Sequence, residues 1–115
     1  MLMLFAVAAL ALPVPSEDMV VHPQWVRTPS SDDVGRTYPK DARRKGVTGE
    51  SAMVCTVTRK GTLTDCGVTL DRPQGHGFGA AALKLAPLFR MKEREWKGGR
   101  AVEGRRIRIP VEWRL

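Results

Sequence analysis

The side chains able to do chemistry in this chain of 115 residues are few, and their spacing excludes most of it. Cys55 and Cys66 are too far apart for a Cys-x-x-Cys redox centre or a zinc knuckle, and His22 and His76 lack ligand spacing, so no metal site is expected. No Ser-His or Cys-His pairing has a supporting context, and Asp65 and Glu112 read as solvated strand residues. The run Gly75-His76-Gly77-Phe78-Gly79 could suggest a phosphate cradle, but it lacks the P-loop Lys-Ser/Thr and fits no dinucleotide unit. It reads instead as a flexible entry to a helix. The expectation is a protein without catalytic residues or cofactor, and not an enzyme.

The cysteines have a structural use. Thr56-Val57-Thr58-Arg59-Lys60-Gly61-Thr62-Leu63-Thr64-Asp65 alternates Thr- and Val-rich positions around Lys60-Gly61, the pattern of a β-hairpin. With Lys60 and Gly61 as the loop, Arg59 faces Thr62 and, further along the ladder, Cys55 faces Cys66 at a separation a disulfide can bridge. A three-residue loop would shift the pairing by one and misalign them. The expected pair is Cys55 with Cys66.

A bridge of that kind suits an exported protein. Residues 1–12, MLMLFAVAALAL, are uncharged and apolar, and Pro13 and Pro15 follow closely. The run is shorter than the roughly 20 residues of a spanning helix. It fits the apolar core of a secretory signal, with Ala9-Leu10-Ala11 as a cleavage site. No Lys or Arg precedes Arg27, so a truncated membrane anchor is the other reading. Export changes the meaning of a net charge of +7 and of the Arg105-Arg106-x-Arg108 cluster. A nucleic-acid role needs a cytoplasmic address and stacking aromatics on the basic face, whereas Trp113 alternates onto the face opposite Arg106 and Arg108. Nucleic acid is therefore not an expected partner.

The elements that must position these residues follow in order. With 43% hydrophobic and 27% charged residues, the chain is apolar enough to fold as one small domain. Residues 1–11 are assigned to the signal or anchor, 12–35 to an extended lead-in with Trp25 and Val26 tacked onto the domain, and 36–115 to the domain itself. Within it, Pro39 at a first helical position, Asp41, then Arg43-Arg44-Lys45 and Gly46 mark a short helix. The hairpin takes roughly residues 50–58 and 62–70, with Met53, Cys55, Val57, Val68 and Leu70 on the core face. Phe78, Ala81, Ala82, Leu85 and Phe89 form the stripe of a second helix, which Pro87 kinks or ends. Last, Ile107, Ile109, Val111 and Trp113 alternate with Arg106, Arg108, Pro110 and Glu112 as a strand with one apolar face. Pro110 places that strand at a sheet edge or requires a bulge, and an edge can accept an extended peptide.

This pattern resembles the C-terminal domain of TonB, the energy transducer of Gram-negative bacteria, from Tyr38 onward. The resemblance is carried by Tyr38-Pro39-x-x-Ala42, Gly46-x-x-Gly49, Gly61-x-Leu63-x-Asp65-x-x-Val68, Phe78-x-x-Ala81-Ala82-Leu83, and Ile107-x-Ile109-Pro110-Val111-x-Trp113-x-Leu115. Phe89-Arg90-Met91 stands where the family usually has aromatic-Arg-aromatic, and Glu93 where it often has Pro. The resemblance implies an α+β fold of order α-β-β-α-β, its three-stranded antiparallel sheet packed against a helix. It implies a periplasmic module that binds the TonB box, a short peptide of outer-membrane TonB-dependent transporters, by strand addition in support of energised transport. ExbB and ExbD at the inner membrane are further implied partners. Carried over, the binding positions are Arg36 and Thr37, before the Tyr-Pro motif, and the last strand at Ile107, Arg108, Ile109, Val111 and Trp113. An envelope interaction module of the same fold without energy coupling is the alternative, and a homodimer is left open.

Overall fold

The computed structural model describes residues 19–115, so the expected signal or anchor at residues 1–11 lies outside the described residues. Its elements are β1 (Trp25–Arg27), α1 (Ser31–Thr37), α2 (Lys40–Arg44), β2 (Gly49–Val57), β3 (Leu63–Arg72), α3 (Phe78–Leu85), a 3-10 turn (Ala86–Leu88), β4 (Arg90–Met91) and β5 (Arg106–Trp113). The sheet is antiparallel in the order β3-β2-β5, while β1 and β4 form a separate two-stranded ribbon. The α+β architecture is the expected one, a three-stranded sheet with α3 packed across β2 and β3.

Apolar periodicity accounts for the core. Phe78, Ala81, Ala82, Leu85 and Phe89 are all buried, as are Met53, Cys55 and Val57 on β2 and Ile107, Ile109 and Trp113 on β5. Pro87 lies in the 3-10 turn that ends α3 at Leu85. Val68 and Leu70 are less covered than the core-face reading implies, Val68 remaining 40% exposed. Their strand β3 is an edge, and Val68 leans on α3 only where Gly79 lets it approach.

The hairpin departs from the expected two-residue loop. Thr58 and Thr62 close a three-residue turn, with amide-to-carbonyl bonds from Thr58 to Thr62 and from Gly61 to Thr58, both 2.9 Å. Gly61 takes φ 84°, and a Cβ there would strike the Met91 carbonyl, so the position demands glycine. Val57 accordingly faces Leu63, and Thr56 faces Thr64, one place off the expected pairing. The ladder then shifts between Val54 and Thr56, where Asp65 adopts φ 49°, and Val54 faces Gly67. The extra residue of that bulge cancels the longer loop, and Cys55 and Cys66 meet in a disulfide with Cα atoms 4.0 Å apart. Replacing both cysteines with serine will cost about 3 kcal/mol by the loop-closure relation for so short a loop, read as a lower urea midpoint.

The segment expected as an extended lead-in carries β1 and most of α1. The N-cap of α1 is Ser30, whose hydroxyl accepts from the Asp33 amide at 3.1 Å while the Asp33 carboxylate accepts from the Ser30 amide at 2.9 Å. That amide, the Ser30 hydroxyl and Arg36 hold the Asp33 carboxyl below the usual carboxylate range. A carboxyl depressed in the folded state stabilises above its unfolded pKa and loses that contribution as pH falls through the folded one. Acid titration will therefore leave α1 capped through the ordinary Asp range and release it below. The Ser30 amide shift follows the step, and its absence in Asp33→Asn assigns it.

Candidate functional site

At the carboxyl end of β5, three rings lock the strand to the start of the domain. Tyr38 meets both Phe78 and Trp113 edge-on at centroid distances of 5.7 Å, and Phe78 lies 6.0 Å from Trp113. The Trp113 indole donates to the Ser51 hydroxyl at 2.9 Å, a buried bond across the β5-β2 pair. Tyr38 is held by its hydroxyl, which donates to the Val47 carbonyl. This cluster fixes the position of β5 without using its outer edge.

Among the described residues β5 has one partner strand, β2, and so has an outer edge. Which peptide groups face outward follows from two bonds: the Val57 amide donates to the Arg105 carbonyl at 2.7 Å on the β2 side, and the Val20 amide donates to the Arg106 carbonyl at 2.7 Å on the other. Peptide groups alternate sides along a strand. Those of Ile107, Ile109, Val111 and Trp113 therefore point to β2, and those of Arg108, Pro110 and Glu112 point outward. Pro110 offers only a carbonyl, which is why it is tolerated here. Among the described residues, only Met19 and Val20 meet this edge, at Arg106.

The sequence-derived positions thus divide. Ile107, Ile109 and Trp113 are buried and Val111 is partly so; their side chains serve the core and their amides serve the β2 ladder. Arg108 alone among the five presents both its backbone and its exposed side chain to a newcomer. Pro110 and Glu112 complete the outward set; the alternation contained that parity, but only the identity of the paired edge reveals it. Arg36 and Thr37 lie in helix α1, where Arg36 pairs with Asp33 at 2.6 Å and the Thr37 hydroxyl donates to the Asp33 carbonyl at 2.7 Å. The described contacts do not bring them to β5.

Charge is sorted along the same strand. Arg106, Arg108 and Glu112 are exposed on its solvent face, but Arg105 is buried, paired with the buried Glu95 and donating to the Met19 carbonyl at 2.8 Å. The basic cluster seen in sequence is thus two exposed arginines and one internal tie. Below the edge, on the core side, lies an apolar groove of ≈ 320 Å³ that includes Ile107, Ile109 and Phe89. An edge of unpaired peptide groups over an apolar groove can take an extended peptide: main-chain bonds supply affinity, and alternate side chains supply specificity.

Comparison with known proteins bears on the family and the fold. The family model described as the Gram-negative bacterial TonB protein C-terminal matches residues 34–115. The solution structure of the Pseudomonas aeruginosa TonB C-terminal domain is similar in fold, with a TM-score of 0.61 at 18% identity over 83% of this chain and 88% of that one. The Helicobacter pylori TonB C-terminal domain aligns at 24% identity over 73% of this chain and 75% of that one, with a TM-score of 0.45. No curated protein matches the chain.

Proposed function

The chain belongs to the family of Gram-negative bacterial TonB C-terminal domains, and from that premise we propose that it binds the TonB box of outer-membrane TonB-dependent transporters by strand addition along β5, in the periplasm, in support of energised transport. The observation that carries this reading is the outward row of peptide groups at Arg108, Pro110 and Glu112, left unpaired among the described residues beside an apolar groove. The added strand gains its hydrogen bonds at Arg108 and Glu112, and Arg106 and Arg108 favour acidic neighbours on the solvent face. Arg36, whose side chain is 73% exposed, contributes through that side chain rather than through its helical backbone. Drive from ExbB and ExbD at the inner membrane belongs to the same reading.

Titration of the protein with a synthetic TonB-box peptide tests it directly. The amide resonances of Arg108 and Glu112 will move together and saturate. No movement at millimolar peptide would reject strand addition at this edge.

A further inference from the structure

The family model starts at residue 34, yet the residues before it are built onto the same edge of β5. Met19 pairs in parallel with Arg106, the Val20 amide holds the Arg106 carbonyl at 2.7 Å, and Arg105 fixes the Met19 carbonyl at 2.8 Å. Val20 itself is 4% exposed and joins the core. The chain then leaves the edge and returns as β1, paired with β4. The groove lies beside the departing segment and β5: Val21, Pro23 and Trp25 line it from the lead-in, with the Trp25 ring against Phe89 at a centroid distance of 5.3 Å, and Ile107, Ile109 and Pro110 line it from β5.

Resting on the reading above, we propose that the lead-in is a working part of the peptide site: Val20 stops the register, and Val21, Pro23 and Trp25 form a specificity wall. With Arg106 already taken, a guest strand pairs from Arg108 onward and reaches no further upstream. Its side chains alternate between faces, so those turned to the core side meet the groove. Among the lining residues Arg108 is the one charged group, so the groove selects an apolar side chain of about valine or leucine size. The partner is thus an extended segment with an apolar residue facing inward and an acidic residue facing Arg108. These selective residues lie outside the part of the chain that the family model matches.

The test uses the whole chain and a synthetic TonB-box peptide. Val21 is 58% exposed, so Val21→Glu leaves the core intact while placing a charge in the wall. The peptide dissociation constant, measured by titration calorimetry, is expected to rise about tenfold, the equivalent of about 1.4 kcal/mol. Against a peptide whose inward apolar residue is replaced by alanine, the same variant should cause little further loss, because both changes remove one contact. Equal affinity of the native and Val21→Glu proteins would overturn the wall. Hydrogen exchange reads the register: the Val20 amide stays protected in the complex while those of Arg108 and Glu112 gain protection. Loss of Val20 protection on binding would mean that the guest displaces the lead-in, and would overturn the stop. If the native chain binds no peptide at all, strand addition itself fails and this inference falls with it, a result distinct from binding that ignores Val21.

Discussion

Replacing Trp113 with alanine will lower the unfolding free energy by about 3–5 kcal/mol, the range for removing a buried aromatic side chain. Trp113 is fully buried, meets the Tyr38 and Phe78 rings, and joins β5 to β2 through Ser51. A small domain has a total stability of only about 5–15 kcal/mol, so the variant will unfold at a much lower urea concentration. Trp113→Phe separates the terms: it keeps an aromatic ring but leaves the buried Ser51 hydroxyl without its donor. That loss should cost about 1–3 kcal/mol. If both variants unfold at the native midpoint, the ring cluster does not hold β5 in place.

The second large effect concerns binding. Arg108→Pro removes the first amide of the outward row and leaves the β2 ladder untouched, because the Arg108 peptide groups face away from β2. The strand already accommodates proline two places on, at Pro110. Affinity for a TonB-box peptide is expected to fall by at least about tenfold, since a main-chain bond is lost and a guest carbonyl is left unmatched. Arg108→Ala, which keeps the amide, should lose only the smaller share due to the guanidinium. Native-like affinity in the proline variant would exclude this edge as the binding strand. Urea midpoints of the two proteins show whether the sheet is unchanged.

Much of this architecture was legible in the sequence because it rests on apolar period. The Phe78-to-Phe89 stripe and the Ile107-to-Trp113 alternation each repeat often enough to fix both the element and its buried face. Helix α1 carries no such stripe; among its residues only Val34 packs against the core, and its signal is the reciprocal Ser30–Asp33 cap hidden in what reads as a polar turn. β1 and β4, with 3 and 2 residues, are too short for any period to show. The hairpin shows a different limit. The two cysteines were placed opposite each other from a loop one residue too short, and the Asp65 bulge, which has no hydrophobic signature, restores the pairing. Pro110 marks the last strand as a sheet edge, and β5 is one, but the parity of its peptide groups is not legible in the sequence. Hydrophobic alternation says which side chains are buried, whereas the direction of each amide depends on which flank β2 occupies.

The order β3-β2-β5 has a mechanical consequence. A guest joined along the outer flank of β5 hands any tension to that strand along its length. The load then crosses to β2 as shear spread over the registered pairs from Gly49–Trp113 to Thr56–Arg106, rather than opening them one at a time. On the far side of β2, the Cys55–Cys66 bond ties the middle strand to β3 covalently. The seam between β5 and β2 has no such covalent tie, and the Tyr38-Phe78-Trp113 cluster adds a side-chain fastening at its end.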